Sequence, residues 1–309
     1  MMANPTGGVS GGAETIARLN DPNDQDPLTP GAATNRSQAG ESRLMSFGPP
    51  LGVLAGVIGL WYAIAYGIMN PARRRVALPP PHEVLSKGFL TWQGKSGRQG
   101  LKPILLAMLT TGKVALIGLI ISMVVGIGLA IVMNRAKWIE RAIIPYAVLI
   151  QTLPILALVP ILRIWLSAGI NARVMTCVLI AIFPVIINTL FGLQSTDRSH
   201  HELFTLHQAK RWTRLVKLEL PGAMPSIFTG MRIAAGGCVI GAVVGDFFFT
   251  QGAIGIGRLI NNYQKDTRIP EMFAATLVSS LFGIIIFIGF GMLSKRVLRT
   301  WHETARTEF

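Results

Sequence analysis

Residues 114–133 read VALIGLIISMVVGIGLAIVM, twenty positions without one charged side chain. Coiled into an α-helix, such a run is about 30 Å long, the thickness of a bilayer's hydrocarbon. Runs of the same kind recur at Leu51–Met69, Ala142–Leu162, Val174–Leu193 and Phe273–Leu293, and Ile227–Phe249 is a further apolar run carrying just Arg232 and Asp246. The whole chain has 309 residues, 50% of them hydrophobic and only 14% charged. Soluble domains carry about a quarter charged residues, so these long runs describe an all-α integral membrane protein with about six transmembrane helices.

Outward from 114–133, the second span starts earlier, near Ile104. The first, Leu51–Met69, places Trp61, Tyr62 and Tyr66 toward its far end, at the depth of an interfacial aromatic belt. Between them lie Arg73-Arg74-Arg75 and Pro79-Pro80-Pro81, and the triple proline stops any helix. The third run carries Pro145, Pro154 and Pro160, so it is expected to be kinked or split into two pieces. Residues 1–49 hold Gly, Asn, Asp, Pro and Ser with no long apolar run, and read as a disordered cytoplasmic tail. The organisation is therefore tail 1–49, transmembrane domain 50–300 with a polar loop at 195–223, and a short C-terminal tail 301–309.

The formal charge of +14 would suggest nucleic acid in a soluble protein. In a membrane protein, Lys and Arg gather in flanks and loops, where orientation and anionic lipid use them. With both termini inside, the cytoplasmic segments hold 15 Lys and Arg against 11 outside, and the later short loops 12 against 4. This favours a cytoplasmic N-terminus and C-terminus in an inner membrane, and no nucleic-acid partner. Cys177 and Cys238 fall within apolar runs and read as small buried side chains.

Enzyme signatures fail on spacing. Gly94-Lys95-Ser96 lacks the glycine a Walker A loop needs five positions before its own, because Gly88 lies six before Gly94. Gly252, Gly255 and Gly257 do not form a dinucleotide fingerprint and suit a tight turn where the fifth span emerges. The five histidines have no metal-ligand spacing. The chain reads as no enzyme, with no catalytic residue, no metal and no cofactor of its own.

The informative polar stretch runs from Glu202 to Pro221. Leu203, Leu206 and Ala209 share one helical face, and Trp212, Leu215, Val216 and Leu218–Leu220 make a second apolar stripe. Two short helices joined near Gln208 account for that pattern. Such a segment either lies on the membrane surface or fits a groove in a cytoplasmic partner.

These residues resemble the EAA motif of ABC importer permeases: Glu-Ala-Ala, three residues, Gly, then after a gap an apolar residue, any residue, Leu-Pro. Glu202 stands on the Glu, Leu203 and Phe204 on the two Ala, Gln208 on the Gly, and Leu218-Glu219-Leu220-Pro221 on the close. Ala209, Arg211 and Trp212 are similar to the Gly-Ala-x-Arg-Trp run of the nitrate/sulfonate/taurine branch. The resemblance extends over about 75–300, including Leu78–Pro81, Gln151-Thr152-Leu153-Pro154, Ile227–Arg232 and Gly252–Ile260. It implies a type I ABC importer permease fold with a cytoplasmic coupling helix. It also implies ATPase subunits that hold ATP and Mg, an extracytoplasmic solute-binding protein and a second permease subunit, a homodimer. ATPase coupling would fall to Glu202, Leu203, Phe204, Leu206, Gln208, Ala209, Arg211, Trp212, Leu220 and Pro221. Leu203, Phe204 and Gln208 depart from the motif's small residues. They mark a differently shaped groove in the chain's own ATPase, a diverged member, or the inactive half of an asymmetric pair. The branch suggests a small anion such as nitrate, a sulfonate or taurine, or a vitamin or pyrimidine precursor.

Three polar residues within spans are candidates for the translocation pathway: Gln151, Asn188 and Asp246. Asp246 lies near the outer end of span five, where it is expected to reach the interface or pair with Arg258 or Arg232. Gly230, Ala234, Ala235, Gly237, Gly241, Ala242 and Gly245 give span five a small face for close helix crossing. The alternative function is an ion-coupled secondary carrier or channel without an ATPase. It would need several charged spans or inverted repeats, and one acid and no repeat are found.

Overall fold

The computed structural model describes residues 43–92 and 100–298. The readings of 1–42, of Gly94-Lys95-Ser96 and of 301–309 lie outside the described residues. The chain divides into two compact units at Gly59/Leu60. In the first, helix α1 (Arg43–Ala63) begins within the stretch read as tail. Its residues from 51 to 59 are exposed, as a helix facing lipid would be.

The second unit starts with the end of that helix, a π-helical turn at Ile64–Ile68, and two short helices, α2 (Pro71–Ala77) and α3 (Pro81–Val84). Both short helices open on a proline, whose missing N–H costs nothing at a first helical position. After a wide turn at Leu85–Leu90 come α4 (Leu101–Met133), α5 (Lys137–Thr152), α6 (Ile155–Leu166), α7 (Ile170–Gln194) and α8 (Arg198–Leu206). Then follow α9 (Arg211–Arg214), a second wide turn at Leu215–Glu219, α10 (Leu220–Phe248), α11 (Ile256–Lys265) and α12 (Ile269–Leu298). Among the described residues, five helices are long and apolar enough to cross a membrane, six if the bent pair α5–α6 is one span.

The third span is split. Helices α5 and α6 meet at 100°. Of its three prolines only Pro154 breaks the chain, and Pro145 and Pro160 remain inside helices. The proline ring disfavours the helical region for the residue before it, and Leu153 is extended at ψ 126°. Span five is longer than expected. The helical path runs from Arg211 to Phe248, starting well before Ile227, and Pro221 lies just past its wide π-helical turn at Leu215–Glu219.

Helices α4, α7 and α10 form the core, and glycine sets their spacing. A Cβ on Gly118 of α4 would lie 2.4 Å from Cys177 Cβ, and one on Gly241 of α10 would lie 2.9 Å from Cys177 Cα. The small face of span five is thus spent largely on α7 within the same subunit: Ala234, Ala235, Gly241, Ala242 and Gly245 are all buried. Both cysteines are free and buried there, with Cys238 Sγ directed at the Cys177 carbonyl at 3.8 Å. Buried hydroxyls satisfy themselves on the preceding helical turn, as Ser122 does on Gly118 O at 2.8 Å and Thr176 on Ala172 O at 2.9 Å.

Close packing of this kind is tested on one helix. Gly118→Val should lower stability by about 1–3 kcal/mol through overpacking. Gly128→Val, where nothing lies within 4 Å, should leave the thermal unfolding midpoint in detergent unchanged.

Candidate functional site

Two places combine polar chemistry with unusual exposure or burial, one at each end of α10. The first is a helical hairpin made by α8 and the start of the α9–α10 path. Asp197 caps α8, its carboxylate accepting the Ser199 amide at 3.3 Å. At the other end, the Ala209 amide donates to Phe204 O at 3.0 Å and the Gln208 amide to Thr205 O at 2.9 Å. These are the two bonds of a Schellman cap, whose C′ residue must be left-handed. Gln208 holds that position with φ 49°. The glycine of the resembling motif stands at this residue because a side chain is penalised there.

The hairpin is held at its base. Arg214 Nη2 donates to Thr205 Oγ1 at 2.7 Å, joining its two arms. Asn134 Nδ2 donates to Glu219 Oε2 at 2.9 Å, Gln194 Nε2 donates to Glu140 Oε2 at 2.8 Å, and Arg135 sits over the Trp212 ring at 5.9 Å. These contacts surround an open cleft of about 640 Å³ lined by Lys137, Arg141 and His201 among others.

Above that base, α8 has no buried residue. Leu203 is 54% exposed, Leu206 82% and Trp212 66%, while Phe204 and Ala209 are half-buried. Glu202 is exposed and pairs with Arg198 at 3.2 Å. Lys210 and Arg211 are exposed beside the apolar tip, and Leu220 and Pro221 open α10. The structure therefore brings the ten coupling candidates into one hairpin and the turn that connects it to span five.

The second place is at the other end of α10. Asp246 is fully buried, and its partner is neither Arg258 nor Arg232. It is Arg173, near the start of α7, at 3.1 Å and itself 2% exposed. Arg258 instead faces Gly252 O at 3.4 Å, and Arg232 lies far down the helix over Phe287. Thr111 of α4 donates to the same carboxylate and accepts the Ile256 amide at 2.8 Å. Arg173 also donates to three carbonyls of the following turn: Phe249 at 2.9 Å, Gln251 at 2.6 Å and Ala253 at 2.9 Å. Gly255 makes room for the carboxylate, since a Cβ there would lie 1.8 Å from Asp246 Oδ2. The glycine-rich turn is thus wound around an ion pair.

Sequence reasoning misses Arg173 and Thr111, because one looks like a loop cation and the other sits inside an apolar run. A usable signal exists: a lone acid near one end of a span needs a cation at the same depth, and Arg173 opens the neighbouring span. Of the other pathway candidates, Asn188 donates to Pro184 O at 2.8 Å and lies beside Gly230 at the α7–α10 crossing. Gln151 is exposed just before the break in span three.

Comparison with known proteins follows this geometry. Residues 118–299 match the family model "binding-protein-dependent transport system inner membrane component". The chain belongs to this family. It is 36% identical, over 60% of its length and 74% of the relative's, to a formylaminopyrimidine transport permease protein of Halalkalibacterium halodurans. It is 27% identical, over 82% of its length and 89% of the relative's, to a taurine transport system permease protein of Escherichia coli. A solved amino acid ABC transporter structure covers 64% of this chain and 93% of its own, with TM-score 0.50 at 15% identity, which establishes the shared fold. The protein is a multi-span permease subunit of an ABC importer of the nitrate/sulfonate/taurine branch, a family of transport components. The family implies ATPase and binding-protein partners. The relatives and the fold support this reading and not the ion-coupled carrier.

Arg173→Met alone should destabilise the detergent-solubilised protein by about 3–5 kcal/mol, because it strands a buried carboxylate. Arg173→Met combined with Asp246→Leu should recover most of that loss. Separately, Gln208→Gly should raise hydrogen-exchange protection of α8 by about 1 kcal/mol, by relieving the cost of a β-carbon in the left-handed region, an effect that vanishes if the turn is not left-handed in solution.

Proposed function

We propose that the α8–α9 hairpin is the surface on which the ATPase acts, and that α10 carries its movement across the membrane. The observation behind this reading is a helix that is capped at both ends yet buries none of its nine residues. A helix this short is marginal in water by itself. Caps and the Arg214–Thr205 bond hold it, while Leu203 and Leu206 face outward. Exposed apolar anchors with a rim of Lys210 and Arg211 fit a groove in a cytoplasmic protein, and Glu202 supplies a negative charge on that surface.

In this reading the hairpin is cytoplasmic, as are both termini, and ATP and Mg are bound by the ATPase rather than by this chain. Two copies form a homodimer around the solute path, and the binding protein delivers solute on the opposite face. ATP-driven closure favours the state in which both hairpins approach one another, which requires the ATPase to bind two permease states unequally. Gln151, beside the break in span three, and Asn188, at the α7–α10 crossing, are the pathway residues. Asp246 contributes by fixing the outer turn rather than by meeting solute as a free carboxylate. The solute is a small polar molecule. The higher identity to the formylaminopyrimidine permease favours a pyrimidine-type precursor over a sulfonate such as taurine.

Leu206→Asp should lower co-purification of the ATPase about tenfold, in the range of interface hot spots. An exposed substitution should leave the permease's own stability within about 0.5 kcal/mol. Undiminished association in Leu206→Asp and in the double variant Glu202→Arg/Phe204→Asp would remove the hairpin from the coupling role.

A further inference from the structure

Span five contains a cation with no acid beside it. Arg232 lies twelve residues into α10, and among the described residues no carboxylate comes within salt-bridge distance of its guanidinium. Its Nε is buried without a hydrogen-bond partner. The group lies on the Phe287 ring of α12, its Cζ 3.7 Å from the ring centre. Gly291, one turn further along α12, lies against the guanidinium, since a Cβ there would come 3.4 Å from Arg232 Cζ. An arginine stays charged, and an unbalanced charge within a span is costly and calls for an anion.

Among the described residues, no acid of a second copy stands where the anion is needed. A two-fold partner with its axis along the membrane normal presents each acid at the depth it has in the first copy. Along α10, Glu219 and Asp246 each lie about 20 Å from Arg232. Glu140 sits at the hairpin end with Glu219, tied to Gln194, and Glu271 opens α12 some 30 Å from Gly291. Asp246 is already held by Arg173. Depth instead matches lipid: Lys295 and Arg296 mark the end of α12, and Gly291 lies one turn, about 6 Å, inside Lys295. The guanidinium, already held beside Gly291, lies about one helical turn from that level, where local thinning of the bilayer brings phosphates to it.

Next to this cation, and sharing Phe287 with it, is a groove of about 490 Å³ between α10 and α12. Gly236, Val239, Ile240 and Val243 line one side, Gly283 and Ile284 the other. It runs from the level of Arg232 toward the membrane interior, is open to the side and is almost wholly apolar. We propose that this is a binding site for an anionic phospholipid, with the phosphate on Arg232 and an acyl chain in the groove. The lipid balances a charge that no acid among the described residues balances, and it fills the seam between spans five and six.

The test is native mass spectrometry of the full chain co-purified with its ATPase, with added phosphatidylglycerol or phosphatidylcholine. Wild type should retain phosphatidylglycerol about fivefold better than phosphatidylcholine, the gain expected of one arginine at an anionic surface. Arg232→Gln should abolish that preference while retaining the ATPase, which marks an intact fold. Gly283→Leu, which fills the groove away from the cation, should reduce adducts of both lipids. The proposal is overturned if wild type shows no preference, if Arg232→Gln keeps it, or if millimolar inorganic phosphate displaces the lipid, since that marks a site for a free anion. It is equally overturned if permease dimers carry no lipid while monomers do, because the groove is then covered by a second copy.

Discussion

The pairing of Arg173 with Asp246 is the constraint around which one end of this permease's bundle is arranged. Two ions are removed from water where three helices converge, at a cost that falls as their remaining polar atoms find partners, although Arg173 Nε has none. Thr111 serves the carboxylate from α4, and the carbonyls of Phe249, Gln251 and Ala253 surround the guanidinium. Each partner comes from a different part of the chain. The ion pair therefore fixes the relative height of α4, α7 and α10, and it fixes the shape of the turn leading to α11. Glycines at 118, 241 and 245 let these helices approach closely enough for the charges to meet.

One helical path of 38 residues, Arg211–Phe248, connects that ion-pair assembly with the hairpin at its other end. The path is rigid in its apolar part and locally loosened at Leu215–Glu219, where the turn widens. Wide turns of this kind occur where a helix must change direction or yield. Here the loosening is bridged from outside, through Glu219 to Asn134 and through Trp212 to Arg135. The hairpin is thereby tied both to α10 and to the connection between α4 and α5, so a push on α8 reaches two elements of the bundle.

The spans are legible in the sequence because hydrocarbon demands long uncharged runs, and little else in a sequence looks like VALIGLIISMVVGIGLAIVM. The hairpin is legible for a related reason, since apolar residues at helical spacing within a charged stretch describe a helix with one face to cover. What stays hidden depends on depth and on backbone geometry. Nothing local distinguishes Pro154, which splits a span, from Pro145 and Pro160, which do not. The difference is whether the surrounding bundle lets the preceding residue become extended. Arg173 looks like a loop cation because its neighbours in sequence say nothing of the acid it meets 73 positions later. Arg232 is a plausible partner for Asp246 only until the length of α10 between them is known.

The split in span three has a meaning beyond its angle. Each helix end leaves peptide groups outside its own hydrogen-bonding ladder, so α5 and α6 together expose carbonyl and amide groups where an unbroken span would show only side chains. Gln151 adds an amide of the same chemistry beside them. A surface bordered by peptide groups offers the hydrogen-bonding character of water without presenting a fixed charge. Such a surface distinguishes molecules by size and by their ability to exchange hydrogen bonds, and it is indifferent to most side-chain substitutions.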